Sequence, residues 1–459
     1  MSGWLLLALS GCDRCGGGAD SAPDVVLPDS GISEEEEDSL STPSEPTLNP
    51  ANFTSAETCK ECHPTHYDEW SSSNHAYAMH DPVFRALVAV RQEDLAGEED
   101  LFCTQCHSAI GTRGGDVVPG FSFSDLLDIT NEGITCESCH RISTIERTHN
   151  AGHVLDETGP IRGPIADPDP SSFHSELAYE PFFEDSSLCG SCHDVIESSG
   201  LPLERPYAEW LTSPAAENGQ QCQDCHMPSS TGLASTEGVT ERTLHSHRFI
   251  GVDVPMDGFV DEERAAEIRA GVQELLSAAA SVDLQLPESV IVGEQLDVVV
   301  NVYNDIPAHN FPTGSTFIRQ AWLEVIATDA LGQQLYATGD LDENGDLRDH
   351  WSDLDPYGDD DLISFSSRFI DSSGSPTMFS HRAAEHVTSA IAPLYSRTYT
   401  LFVPTEAAAE GPISVTARLR FRSLPPHLLR KLDQERLLDE LVIYDIDAAS
   451  GLVSLTAEE

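Results

Sequence analysis

The clearest periodic pattern lies in the last third of the chain. Leu296, Val298, Val300 and Val302 alternate with residues suited to an outer face, and Ile413-Ser414-Val415-Thr416-Ala417-Arg418-Leu419-Arg420-Phe421-Arg422 alternates without a break. A period of two is the mark of a half-buried antiparallel strand. Trp322 to Thr328 and Arg397 to Val403 predict two more strands. Just before them, Ile268, Val272, Leu275 and Leu276 recur at helical spacing among alanines, which predicts an amphipathic helix. We therefore expect a connecting helix over 261–281. An all-β, immunoglobulin-like sandwich should follow over 282–459, interrupted by a long acidic insertion. Residues 53–260 show no such periodicity and are rich in Gly, Pro, Ser and His.

The chemistry that accounts for that texture is a repeated motif. Cys59-Lys60-Glu61-Cys62-His63, Cys103-Thr104-Gln105-Cys106-His107, Cys136-Glu137-Ser138-Cys139-His140, Cys189-Gly190-Ser191-Cys192-His193 and Cys222-Gln223-Asp224-Cys225-His226 all read Cys-x-x-Cys-His. In c-type haem attachment the two thiols add to the haem vinyl groups and the adjacent imidazole ligates the iron. Both sulfurs and the ring must reach one porphyrin from a single turn of backbone, which fixes the short spacing. Zinc ribbons use paired Cys-x-x-Cys but have no use for the trailing His. A thioredoxin-like motif occurs once, in a βαβ setting. The motifs use ten of the twelve cysteines. The expectation is five covalently bound haem c groups, with His63, His107, His140, His193 and His226 as proximal ligands. Flat apolar porphyrins would then supply much of the core that Leu, Ile and Phe do not.

The segment Ala56-Glu57-Thr58-Cys59-Lys60-Glu61-Cys62-His63-Pro64-Thr65-His66-Tyr67-Asp68-Glu69-Trp70, with Ser73-Asn74-His75-Ala76 beyond it, resembles the cytochrome c-554/hydroxylamine-oxidoreductase group of multihaem cytochromes. Gly133 to His140 and Cys222 to Pro228 resemble it too. The resemblance covers about Ser55 to Val252. It implies short helices wrapped around closely packed haems, with little sheet, in a mostly α or irregular domain over 53–260. No Cys-x-x-Cys-Lys motif is present, so the usual pentahaem nitrite-reductase signature is missing.

Thirteen of the eighteen histidines remain as candidates for the sixth iron position. His75 and His247 resemble ligand positions of that group, with His245 as a near neighbour of the latter. His149 or His153, after the third motif, is a further candidate; His174 and His66 are weaker ones. His309, in His309-Asn310-Phe311-Pro312-Thr313-Gly314, resembles a segment in the C-terminal domains of some multihaem cytochromes and is otherwise a structural turn residue. Two His ligands close an iron for electron transfer, whereas an open position suits binding of a small molecule.

At the N-terminus, the apolar run Trp4 to Leu9 followed by Ser10-Gly11-Cys12 resembles a lipoprotein signal over 1–12, with Cys12 lipidated. An ordinary cleaved secretory signal is the alternative; both imply export. Residues 13–52 carry a Gly run, Pro, Ser and Glu34-Glu35-Glu36-Glu37-Asp38, the composition of an acidic disordered tether spanning roughly 30–35 Å. Overall, 24 basic residues stand against 78 acidic, a net charge of −54. That balance excludes nucleic acid and direct binding of anionic lipid. It favours redox partners with basic docking surfaces, or adaptation to a saline habitat.

Two further features belong to the β region. Asp340, Asp342, Asn344 and Asp346 place oxygen atoms at alternate positions like a calcium loop, but Trp351 stands where an EF-hand needs its Glu. Arg418, Arg420 and Arg422 share one strand face and should have an acidic partner, either the insertion or, the favoured choice, haem propionates at the domain interface. These readings leave three functional classes. The leading one is an electron carrier of the periplasm or cell surface. The second is an oxidoreductase with one open haem acting on a nitrogen or sulfur compound. The third is a noncatalytic haem subunit of a larger complex.

Overall fold

Short capped helices make up most of the motif region in the computed structural model, which describes residues 45–170, 173–174 and 177–457. Cys12, Cys15, the signal and the tether up to residue 44 lie outside the described residues. The longest helix here, Pro82–Leu95, begins with Asp81 accepting from Val83 N at 2.8 Å and Pro82 at its first position. Both features suit a helix start, where the first N–H groups have no partner within the helix. The helices Cys136–His140 and Cys222–His226 are single turns closed by reciprocal side-chain caps, Thr135 with Ser138 and Gln221 with Asp224. A turn this short has little intrinsic stability, and its caps hold it where the motif needs it.

The region holds more sheet than expected. Four two-stranded pairs punctuate it, among them Ile142–Ile145 with His153–Leu155 and Ser229–Leu233 with Glu241–His245. Their physical role is to hold the loops between motifs, which have too few apolar side chains to pack as helices.

Beyond residue 261, two sheets face each other across one apolar core. The larger runs Ser289–Ile291, Tyr444–Thr456, Ile413–Arg422, Gln320–Thr328, Gln334–Thr338, with Ile363–Phe365 also paired to Gln320–Thr328. The smaller runs Ser396–Val403, Leu296–Asn304, Ala280–Gln285. Val298, Val300 and Val302 from one sheet meet Leu323, Val325, Val415 and Leu419 from the other, all fully buried. Each such side chain contributes about 1.5–3 kcal/mol on burial. The helix Glu262–Ser277 is more than a connector: its Ile268, Val272 and Leu276 enter the same core. A second cluster joins Val83 of the motif region to Met378, Phe379 and Leu428 of the β region, so the two halves share buried apolar contacts.

The arginine stripe lies elsewhere than at the motif region. In register, Arg422, Arg420 and Arg418 stand opposite Gln320, Trp322 and Glu324. Arg418 and Arg420 pair with Glu324 at 2.7 and 2.8 Å, and Arg422 donates to Gly345 O at 2.7 Å. The favoured expectation of haem propionates is thereby corrected: the partners are a buried glutamate of the same sheet and the insertion that covers it. The residues of the calcium reading have partners within the protein. Asp340 pairs with Arg348 at 2.6 Å and Asp346 with Arg430, while Asp342 accepts from Asn344 N and Asp346 N at 2.8 and 3.0 Å. Guanidinium and backbone donors thus engage carboxylate oxygens of three of the four residues. Among the described residues no group of three or more His, Cys, Asp and Glu side chains is arranged to hold a metal ion.

Candidate haem centres

All five motifs line one continuous cavity of about 1450 Å³. Within Cys-x-x-Cys the two cysteines are three residues apart and lie on one side of a helical turn, so both sulfurs point the same way. None of the ten motif cysteines is in a disulfide. Four of the trailing histidines are anchored through Nδ1 to a backbone carbonyl. His63 meets Ala234 O at 2.7 Å, His107 Ala78 O at 3.0 Å, His140 Arg162 O at 2.6 Å and His226 Ile250 O at 3.0 Å. Such a bond fixes the tautomer and leaves Nε2 as the ligating nitrogen.

Facing these rings are four other imidazoles. His174 stands 6.4 Å from His63, His75 6.2 Å from His193, His247 6.4 Å from His140 and His309 6.4 Å from His226, ring centre to ring centre. A metal–imidazole bond of about 2 Å, with about 1 Å from nitrogen to ring centre, sets two rings on one metal about 6 Å apart. The four pairs therefore fit an iron between them, and the cavity offers the room a porphyrin needs around it. Burial pushes His75 down to about 4, His247 to about 3 and His309 to about 4, which keeps these rings neutral with a lone pair to donate. The ring stacked on His107 is a phenyl group, Phe84, at 3.8 Å and nearly parallel.

The remaining sequence candidates are placed differently. His245 holds Met227 O through Nδ1 at 2.9 Å, and the carbonyl of His245 accepts from His247 Nδ1. His153 sits against the fourth motif, its Nδ1 3.2 Å from Ser191 Oγ and 3.7 Å from Cys192 Sγ, and is not part of the cavity wall. His149 is likewise outside that wall. His66 packs edge-on against His247 at 4.8 Å.

Contacts between motifs order the sites. Cys59 lies beside Cys136, Cys106 beside Cys192, and Cys189 beside Cys222. Cys139 lies within electrostatic reach of Cys192. The motifs thus form one connected series, first to third to fourth to fifth, with the second joined at the fourth.

Sequence reasoning missed Glu209. Its carboxylate accepts from Asn310 N at 3.1 Å, Asn310 Nδ2 at 2.8 Å and Thr313 Oγ1 at 2.6 Å, and so holds the turn that presents His309. Burial raises its pKa to about 7, outweighing those three bonds. A carboxyl raised in the folded state favours folding when protonated; that contribution is complete below the unfolded value near 4.5 and is lost as pH rises through about 7. Glu209→Gln is expected to raise the melting temperature near pH 8 and to flatten its fall between about pH 5 and 7. An unchanged pH profile in this variant would contradict the assignment.

A helical region that gathers repeated haem-attachment motifs around one cavity, joined to a β-rich region, is the architecture of a multihaem c-type cytochrome. Residues 58–141 match the family model described as cytochrome c554 and c-prime. The fold is like that of a penta-heme cytochrome c552 from Thermochromatium tepidum, at 19% identity and a TM-score of 0.60, covering 88% of this chain and 100% of that one. A CARDB domain from Pyrococcus furiosus aligns at 11% identity over 39% of this chain and 87% of its own, with a TM-score of 0.17 that is too low to bear on the fold. A search of curated proteins gave no match. With the five Cys-x-x-Cys-His motifs, the match over residues 58–141 and the likeness of fold support a multihaem c-type cytochrome.

Proposed function

We propose that this chain is an exported electron carrier with five haem c groups, relaying electrons between redox partners of the cell envelope. The observation that carries the reading is the set of four facing imidazole pairs at 6.2–6.4 Å, each aligned with a different motif. Bound haem supplies a one-electron ferric/ferrous couple, and two imidazoles per iron leave no position for a substrate. The protein's own residues orient the rings through backbone carbonyls and gather the five motifs around one cavity. The Thermochromatium tepidum protein, described as penta-heme, supports the count of five.

The reading of Cys12 as a lipid attachment point rests on the Leu9-Ser10-Gly11-Cys12 segment, and that of basic partners on the net charge of −54. The β region is read as an immunoglobulin-like sandwich whose work is to deliver His309. A second reading has a specific observation behind it: Phe84, and no facing imidazole among the described residues, lies against His107. On that reading the second site binds a small nitrogen or sulfur compound.

The test is an EPR spectrum of the oxidised protein with haem counted as pyridine haemochrome, alongside mass spectrometry of the mature N-terminus. Five low-spin haems inert to nitrite, hydroxylamine and cyanide support the carrier. One high-spin haem in five that responds to those ligands supports the second reading. A different haem count, or an N-terminus without lipid, overturns the corresponding part of the proposal.

A further inference from the structure

The short segment His247-Arg248-Phe249-Ile250 meets three of the sites. His247 faces His140 of the third motif across 6.4 Å. The Ile250 carbonyl accepts from His226 Nδ1 of the fifth motif at 3.0 Å. Between them, the Phe249 ring packs on His75, the imidazole opposite His193 of the fourth motif, at 4.3 Å between ring centres. The same ring lies 5.5 Å from that of His247. The interplanar angles are 51° and 74°, the tilted and edge-on packing that aromatic rings favour. All three rings line the cavity. Phe249 thus contacts two of the four facing imidazoles at once.

The backbone is strained at that point. Phe249 has φ 48°, in the left-handed region that a bulky side chain avoids. Anchors on both sides enforce it. Ser246 N donates to Pro228 O at 3.1 Å, and His247 N to Glu69 Oε2 at 2.8 Å. On the other side Ile250 is tied to His226, and its Cδ1 lies 3.4 Å from where a Cβ on Gly271 would stand. Glycine would make such a turn without strain, so the turn itself gives no reason for a phenyl group. Its contacts with the two imidazoles do. Strain held in place by its surroundings gathers at functional sites.

We infer that Phe249 is a positioning residue shared by the third and fourth sites, its one ring setting the planes of both His247 and His75. The inference rests on the reading of these two histidines as iron ligands in the electron carrier. The third pair of imidazoles is 18° from parallel and the fourth 37°. In a ferric haem with two imidazole ligands, this angle governs the splitting of the iron d orbitals and so the EPR g values. A single ring that holds a plane at each site therefore ties the ligand fields of two irons together. His66 is the competing support at the third site, since it also meets His247 edge-on at 4.8 Å.

The experiment is EPR of the oxidised, haem-loaded protein, parent against Phe249→Leu. His75→Ala and His247→Ala assign the two components, since each should turn one haem high-spin. In Phe249→Leu both assigned components are expected at new g values, with the rest of the spectrum unmoved. Phe249→Tyr keeps the ring and should show the parental spectrum. If Phe249→Leu fails to take up haem, Phe249→Gly carries the test, because glycine accepts a positive φ freely; it should move the same two components. Parental g values in whichever of these variants loads would overturn the inference. So would a shift spread over every component, or a Phe249→Tyr spectrum displaced as far as that of Phe249→Leu. A shift of the fourth-site component alone would overturn it too, leaving His66 as the support of His247. If His75→Ala and His247→Ala left every haem low-spin, the ligand reading itself would be refuted, so the two failures are distinguishable.

Discussion

Replacing Cys189 and Cys192 by serine is expected to leave the protein one haem short of its parent and to break electron exchange between its two ends. The fourth motif is the junction of the series. Cys192 contacts Cys106 of the second site, Cys189 contacts Cys222 of the fifth, and His193 faces His75. With that site unfilled, the third and fifth sites lose the neighbour through which they communicate. The loss is also structural, because the apolar lining around that site would be left facing an unfilled space. Emptying part of a core costs about 2–5 kcal/mol for each large side chain lost, and a haem is larger than any of them. A drop in melting temperature on the order of 10 °C should accompany the missing haem. Rapid-mixing reduction followed by absorbance checks the kinetic part: the variant should retain a fast phase and leave a fraction of haem reduced slowly or not at all. The same substitution at Cys59 and Cys62, at the end of the series, should remove one haem without isolating any other. Equal kinetic damage from both variants would show that the contact order does not set the route.

The sequence made the chemistry of attachment legible because Cys-x-x-Cys-His is local: both sulfurs and the ring belong to one turn. The facing imidazoles are different. His75 lies twelve residues after His63 yet stands opposite His193, and His309 comes from the β region to stand opposite His226. Nothing in the spacing of the chain indicates which histidine crosses to which motif, since the choice is made by tertiary packing around the cavity. The alternation of Ile413–Arg422 showed which residues face the core, but also suggested that the arginine face looks outward to the motif region. The insertion folds back over that face instead. Its own acidic composition reads as a solvated loop, and only the cross-strand register reveals Glu324 beneath the arginines.

Trp322→Ala should produce the largest loss of stability of any single change in the β region. Trp322 is fully buried, donates from Nε1 to Gly339 O at 2.9 Å, and lies beneath the guanidinium groups of Arg420 and Arg422 at 5.7 and 5.5 Å from its ring centre. Removing a buried Trp costs about 3–5 kcal/mol. The cation–π contacts and the orphaned Gly339 carbonyl add to that, each by about 1 kcal/mol. Phenylalanine keeps the ring under the arginines and loses only the N–H bond and some volume, so Trp322→Phe should recover more than half of the deficit. Denaturation followed by far-ultraviolet circular dichroism measures both. The β region also carries His309, in a turn that Glu209 of the motif region holds through Asn310 and Thr313. When its sheets come apart, the ring opposite His226 leaves with them. In the haem-loaded protein, therefore, a low-spin to high-spin change of one haem should coincide with loss of the β signal and move to lower denaturant in Trp322→Ala. If that change stays at the parental midpoint while the β signal shifts, His309 does not depend on the sheets for its position. The β region would then be a separate folding unit and not the support of the fifth site.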